Sequence, residues 1–143
     1  MRKNILWLVS LSTLVFVLMG CSAAGSLDAT SWRLETYVDD TGTMADVLPN
    51  SVVTLDFQAE QVSGNASCNN YNGSYQTSGK EIKFGPLATT RKICPEPQGI
   101  MDQEYAYLAA LDAAAEYNLK GNTLEIEDDQ GEVILVFTRA TGD

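Results

Sequence analysis

Short runs of alternating apolar and polar residues dominate the chain from Thr30 onward, and turn-forming residues separate one run from the next. Alternation with a period of two is typical of antiparallel strands that bury one face. The first run places Trp32 and Leu34 on one face, together with Thr36 and Val38. The pattern predicts about eight short strands, which are Ser31–Val38, Ser51–Gln58, Gln61–Ala66, Ser74–Gln76, Glu81–Phe84, Glu116–Lys120, Thr123–Glu127 and Val133–Thr138.

One segment departs from this period and repeats its apolar positions every three or four residues, as an amphipathic helix does. The segment is Gly99–Ala115, and its predicted apolar stripe consists of Met101, Tyr105, Leu108, Leu111 and Ala115. Asp102 and Glu104 lie in its first turns, where the positive end of the helix dipole favours carboxylates. We expect the stripe to pack against the sheet.

These elements predict one domain, residues 30–140, of the mainly β class (a β-rich α+β fold). Consecutive hairpins with a single inserted helix favour a small antiparallel barrel or a strongly curled sheet, because either arrangement protects the strand edges. The helix is expected to cap one end.

The first twenty residues differ from the rest and predict a lipoprotein signal peptide. Arg2 and Lys3 precede an apolar run, Ile5–Met19, that is shorter than the roughly 20 residues a membrane-spanning helix needs. The run ends in Leu18-Met19-Gly20-Cys21, which resembles the recognition sequence of the lipoprotein signal peptidase. We therefore expect cleavage before Cys21, lipidation of its thiol by acyl chains such as palmitate, and a flexible tether over residues 21–29.

The charge of the chain and its predicted anchor together limit which partners the protein can have. Residues 1–20 carry two of the nine Lys and Arg residues and none of the nineteen acidic ones, so cleavage changes the formal charge from −10 to −12. So acidic a surface repels nucleic acid. Membrane contact is expected through the lipid on Cys21 alone, on the extracytoplasmic side of a cell membrane or an outer membrane.

Two further cysteines, Cys68 and Cys94, are left as a pair if Cys21 carries lipid. An oxidising compartment favours a disulfide between them. Two buried free thiols are the alternative. A metal site is disfavoured, because the chain has no histidine and two thiols make an incomplete zinc shell.

Four strings of residues in order resemble the META domain family of HslJ-like lipoproteins. The strings are Val62–Tyr75, which contains Cys68-Asn69-Asn70-Tyr71, then Leu87–Cys94, Met101–Glu104 and Tyr107–Leu111. Ser67 and Lys92 depart from the family's usual glycine and methionine. The resemblance implies a compact β-barrel-like fold with an inserted helix, and an association with stress response without a known catalytic reaction.

No set of residues predicts catalysis, a cofactor or a bound metal. A carboxylate pair is conceivable at Asp128 and Asp129 or at Glu125 and Glu127, but turns and exposed strand faces commonly carry such acids. Asp128–Glu132 also suggests a calcium loop, without the spacing of an EF-hand. A solvated hairpin turn is the simpler interpretation.

The best recognition candidates are Asn69, Asn70, Tyr71 and Tyr75, whose amides and rings offer hydrogen bonds and stacking surface together. The alternative is that these residues fix a turn and pack beneath the disulfide. Asn65 and Asn72 also match the glycosylation acceptor pattern.

The leading functional hypothesis is a monomeric, non-catalytic module for binding or for envelope stress and maintenance. It would hold a hydrophobic peptide, a lipid or an envelope protein in a groove beside its helix. The alternative is a purely structural domain of a surface layer, without a specific ligand.

Overall fold

Eight antiparallel strands close into a barrel in the computed structural model, which describes residues 26–140. The elements are β1 (Thr30–Val38), β2 (Met44–Asp46), β3 (Thr54–Gln58), β4 (Gln61–Asn65), β5 (Asn70–Ser78), β6 (Glu81–Phe84), β7 (Ala88–Thr89), α1 (Ile100–Asp112), β8 (Glu116–Lys120), β9 (Thr123–Glu127) and β10 (Val133–Arg139). The mainly β prediction with one inserted helix is confirmed, and of its two alternatives the barrel is the one observed.

The barrel follows the order β1-β3-β4-β5-β6-β8-β9-β10 and closes where β10 pairs with β1. The closing pairs run from Trp32 opposite Arg139 to Tyr37 opposite Leu135. Two short strands lie outside this ring, β2 beside β1 and β7 beside β5. Both were missed in the sequence because strands of two or three residues carry too little alternation to detect.

The contact between β6 and β8 is the shortest in the ring. It consists of one residue pair, Glu81 opposite Glu116, and two flanking backbone hydrogen bonds. The chain between these strands contains β7 and the helix, and the helix contacts β1, β6 and β10. The inserted helix therefore packs against β6 and against the closing pair of strands, β1 and β10.

The alternation predicted for β1 fails halfway along the strand. Trp32 and Leu34 are buried as predicted, but Tyr37 is buried next, and Thr36 and Val38 are only half-buried. The pairing with β10 shifts register between Leu34 and Thr36. A bulge of this kind inserts one residue and exchanges the two faces of a strand.

Side chains fill the interior of the barrel. Trp32, Phe57 and Phe137 are at most 2% exposed, and the ring of Tyr75 meets that of Phe57 edge-on at 4.8 Å between centroids. Burial of each such side chain contributes roughly 1.5–3 kcal/mol. The centre of the barrel is thus a packed core, and any ligand has to bind on the outside.

The buried face of the helix differs from the predicted stripe. Tyr105 is 75% exposed, and Met101 and Leu108 are half-buried. The buried residues are Ile100, Gln103, Glu104, Tyr107, Ala110 and Leu111. Of the predicted stripe, Leu111 is buried and Leu108 packs against the core, but Tyr105 faces solvent, because two polar side chains occupy the inner face. Their partners explain this and are described below.

Among the described residues Leu27 is the first that is buried, and it lies inside the range predicted for the tether. The carbonyl of Leu27 accepts a hydrogen bond from the Thr30 hydroxyl, and the Asp28 carboxylate accepts one from the backbone N–H of Ala59 at 2.7 Å. The predicted signal peptide, Cys21 and the rest of the tether to residue 25 lie outside the described residues. Within residues 26–140, no helix has the length and apolar character that a bilayer crossing requires.

Candidate functional site

A buried carboxylate lies where the helix meets the loop between β4 and β5. Glu104 is 7% exposed, and its two oxygens accept three hydrogen bonds. The backbone N–H groups of Cys68 and Asn69 donate to Oε2 at 3.1 and 2.6 Å, and the Asn69 side-chain amide donates to Oε1 at 2.7 Å. A buried charge is tolerated only when it is hydrogen-bonded in this way. Glu104 therefore fixes the loop to the helix.

Asn69 carries this connection onward to the segment before Cys94. Its Oδ1 accepts hydrogen bonds from the backbone N–H of Lys92 at 2.7 Å and from the Thr90 hydroxyl at 2.8 Å. Its amide also donates to the Lys92 carbonyl at 3.1 Å. A single side chain thus holds both backbone groups of Lys92, and the side chain of the next residue, Ile93, is 88% exposed.

Gln103, the residue before Glu104 on the helix, also joins distant loops. Its carbonyl oxygen accepts from the backbone N–H of Leu48 at 2.7 Å. Its amide donates to the hydroxyls of Ser51 and Ser67 at 2.9 and 2.6 Å. Two loops that are distant in sequence are therefore connected through one buried amide.

Tyr71 and Tyr107 form a further pair of buried polar side chains. Their hydroxyl oxygens lie 2.7 Å apart, and the Tyr71 hydroxyl donates to the Thr54 carbonyl at 2.7 Å. Burial raises the pKa of both phenols above the ordinary value near 10. Both groups are neutral hydrogen-bonding groups at any physiological pH.

Burial decides between the two interpretations of the predicted recognition residues. Asn69, Tyr71 and Tyr75 are at most 6% exposed, and only Asn70 faces solvent. Its side-chain oxygen accepts a hydrogen bond from Asn65 at 3.0 Å. The three buried residues have a structural role in place of the exposed recognition surface expected of them. Of the two glycosylation candidates, Asn65 is half-buried and Asn72 is exposed.

Cys68 and Cys94 form a disulfide, with their Cα atoms 5.9 Å apart, and this prediction is confirmed. Among the described residues no group of three or more acidic or cysteine side chains is arranged to hold a metal ion. In the candidate calcium loop, Asp128 Oδ1 accepts hydrogen bonds from the backbone N–H groups of Gln130 and Glu132, both at 2.9 Å. These contacts close the turn between β9 and β10.

One open feature beside the helix is a groove between α1 and the turn that joins β1 to β2, which we call the helix groove. Its near end, about 350 Å³, is lined by Tyr37, Asp39, Asp40, Leu48, Gly99, Asp102, Gln103, Tyr105 and Ala106. Its far end, about 290 Å³, is lined by Val38, Asp39, Asp40, Tyr105, Ala106, Ala109, Ala110, Ala113, Asp128 and Ile134. The two ends share four residues and therefore form one continuous surface.

Carboxylates make the electrostatic potential of the helix groove negative. Burial, followed by the charges of Asp39, Asp102 and Asp40, raises the pKa of Tyr37 above its ordinary value. The pKa of Asp39 is lowered by hydrogen bonds from Thr41 and Thr43, which hold its side chain in the turn. Sequence reasoning assigned none of these acids to a site, because they come together only when the turn packs beside the helix.

A second, wider cleft of about 700 Å³ lies at the seam between β6 and β8. Its carboxylates come from Glu81, Asp112, Glu116, Asp128 and Asp129. Lys83 also lines it, and exposed polar residues of the hairpin between β5 and β6 form one wall. Ala114 and Ala115 also line this cleft, and it differs from the helix groove in having a lysine on its wall.

Comparisons with solved structures agree with the barrel. The NMR structure of a protein from Burkholderia xenovorans is 29% identical to this chain and aligns over 96% of this chain and 100% of its own, with a TM-score of 0.69. The NMR structure of a second protein is 22% identical over 78% of this chain and 89% of its own, with a TM-score of 0.57. The crystal structure of a DUF4847 family protein from Bacteroides vulgatus is 14% identical over 82% of this chain and 96% of its own, with a TM-score of 0.55.

The two less similar structures support the fold alone. No functionally curated protein matches the sequence significantly. The family profile of the META domain matches residues 25–141, a range that contains the whole barrel, the helix and both halves of the disulfide.

Proposed function

The chain belongs to the META domain family, and from this premise we propose that it is a non-catalytic binding module, held by lipid on Cys21 at the extracytoplasmic face of a membrane. The helix groove is its binding surface. The partner is a protein or peptide of the same compartment, and binding requires no cofactor.

The observation that carries this proposal is the position of Tyr105 above the helix groove. A tyrosine that is 75% exposed leaves a large apolar surface in water, and such rings are favoured in binding surfaces. Below it the groove floor is formed by the alanines of the helix, which are half-buried or exposed at Ala106 and Ala109. Because the barrel interior is filled, a partner has to bind an outer face such as this one.

The state of the reactive groups also supports a binding role. Glu104 and the tyrosine pair are buried and engaged in fixed hydrogen bonds, so none of them faces a space where a substrate fits. The disulfide leaves Cys68 and Cys94 without a thiolate. Positioned acid–base or nucleophilic groups are what catalysis requires.

The anchor in this proposal rests on the sequence and on the short distance along the chain between Cys21 and the barrel. Leu27 is packed into the core, six positions after Cys21. Six residues span at most about 20 Å when fully extended. A lipid on Cys21 therefore keeps Leu27, and with it the domain, close to the membrane surface.

Site-specific photo-crosslinking of the full-length protein in its native cell tests the binding role. We replace Tyr105 with a photoreactive phenylalanine derivative and make a matched variant at Gln58, the exposed last residue of β3. The proposal expects a discrete protein adduct at position 105 and none at position 58. Equal labelling at both positions, or no adduct at 105, contradicts it and favours the structural surface-layer alternative.

A further inference from the structure

We propose that the helix groove selects a cationic segment, one whose Lys or Arg side chains alternate with small apolar residues. This inference rests on the proposed binding function and names the class of partner. It is carried by three properties of the groove, which are its unneutralised carboxylates, its exposed aromatic ring and its small-residue floor.

The carboxylates come first because they face the same space from two elements. Asp39 and Asp40 belong to the turn after β1, and Asp102 belongs to the first turn of the helix across the groove. Asp128 extends the negative charge to the far end. Neither end of the groove is lined by a lysine or arginine. The ion pair found in residues 26–140 joins Lys120 to Glu125, which line neither end.

A cation placed between these acids is attracted by carboxylates that no lysine or arginine lining the groove neutralises. Two opposite charges 4 Å apart attract by about 1 kcal/mol in water and by up to about 4 kcal/mol near a protein surface. The attraction is screened within about 8–10 Å at physiological salt. Binding through this groove therefore depends strongly on ionic strength, and an anionic peptide or lipid headgroup is repelled.

Tyr105 and the groove floor determine the rest of the segment. The exposed ring offers its face to a Lys or Arg side chain, and a cation–π contact at such a site contributes about 0.5–1 kcal/mol. Ala106, Ala109 and Ala113 project only methyl groups, so a backbone can approach the helix closely. With about 290–350 Å³ at each end, the groove accommodates small side chains between the cations.

The test measures binding of defined peptides to the full-length lipidated protein in nanodiscs of zwitterionic lipid. The first peptide alternates lysine with alanine over nine residues, and the second and third replace lysine with glutamine or glutamate. We expect the lysine peptide to bind at least about tenfold more tightly than the glutamine peptide, and we expect no binding of the glutamate peptide. Raising the salt from 50 to 300 mM removes most of the difference.

Matched charge variants locate the binding. The double variant Asp40→Asn with Asp102→Asn removes two carboxylates from the groove, and Asp112→Asn with Asp129→Asn removes two from the wider cleft. The first pair should weaken lysine-peptide binding about tenfold, whereas the second pair should change it less than twofold. Equal effects of both pairs, or equal binding of the lysine and glutamine peptides, overturn the inference.

The photo-crosslinking experiment separates this inference from the proposed function. If position 105 captures a partner through an acidic or uncharged segment, the binding function stands and the cationic selectivity is wrong. If the captured segment contains alternating Lys or Arg residues, both are supported.

Discussion

Glu104 and Asn69, one on the helix and one in the loop between β4 and β5, are joined by two hydrogen bonds, from the backbone N–H and from the side-chain amide of the asparagine. The amide oxygen of Asn69 in turn accepts from the backbone N–H of Lys92. Three segments that are distant in sequence thus meet at one buried carboxylate. The disulfide between Cys68 and Cys94 closes the same junction covalently.

Removing the charge of Glu104 should weaken this junction. In Glu104→Gln an amide group replaces one carboxylate oxygen and faces N–H donors that then lack an acceptor. Hydrogen bonds to charged groups contribute about 1.5–3 kcal/mol each, and a buried donor left unsatisfied costs a further 1–3 kcal/mol. We expect a loss of about 3–5 kcal/mol in urea unfolding. Asp102→Asn, an exposed change on the same helix, should alter stability by less than about 1 kcal/mol.

The helix shows why some of the fold was predictable and its inner face was not. Its existence followed from the 3.6-residue period, but the stripe through Met101 and Tyr105 counted only apolar residues. Gln103 and Glu104 lie three or four residues before Tyr107 and therefore share the buried face with it and with Leu111. They were not assigned to this face because they are polar. A buried polar side chain can be assigned only when its partners are known, and those partners come from loops far away in sequence.

The disulfide should act as a single unit. Cross-linking residues 26 positions apart restricts the unfolded chain, and the loop-entropy relation gives about 3.5 kcal/mol. Cys68→Ser and Cys94→Ser are each expected to lower the free energy of unfolding by about that amount. The double variant should cost little more than either single one. Additive losses would show that the two side chains contribute separately through packing.

Stability should fall in alkaline solution because of the tyrosine pair. The pKa values of Tyr71 and Tyr107 are raised by burial, so the folded protein keeps protons that the unfolded chain releases above pH 10. Their contribution is constant below pH 10 and decreases above it, by up to about 1.4 kcal/mol per pH unit for each tyrosine. Urea unfolding between pH 8 and 11.5 measures the slope. Tyr107→Phe should reduce it, and Tyr105→Phe, at an exposed ring, should leave it unchanged.

Gly64 is required where β4 passes under Tyr71. A Cβ atom at this position would overlap the Thr54 carbonyl oxygen and would lie 2.8 Å from the Tyr71 hydroxyl oxygen. Gly64→Ala must therefore move the backbone of β3 and break the hydrogen bond between Tyr71 and Thr54. We expect a loss of about 3 kcal/mol or more in thermal or urea unfolding. Ser63→Ala, the exposed neighbour, should change stability by less than about 0.5 kcal/mol.

The proposed anchor gives a prediction for Cys21. Cys21→Ser removes the thiol that would carry lipid, so the variant should leave the membrane fraction while its domain keeps the unfolding transition of the native protein. Intact mass of the native protein should show a chain that begins at Cys21 and carries acyl groups. Retention of the Cys21→Ser variant in washed membranes, or an unmodified thiol in the native protein, would contradict lipid anchoring.

The motif around Tyr71 was recognisable in sequence, and its role was not. A tyrosine among asparagines suits both an exposed recognition loop and a buried turn, and only the contacts distinguish them. Tyr71 packs against Tyr107, with 5.8 Å between ring centroids, and Tyr75 packs against Phe57. Asp39 and Asp40 could not be assigned to a site from the sequence, since aspartates in a turn carry no periodic signal.

The pairing of β1 with β10 has a consequence for biosynthesis. Five residue pairs join the first strand of the barrel to the last one, so β1 has no neighbour on that side until β10 has been made. If the polypeptide crosses a membrane amino end first, Leu34 stays without its partner Phe137 until the last strand has crossed. The barrel can then close only when translocation is nearly over. Until that point the chain remains incompletely folded, as passage through a narrow secretion channel requires.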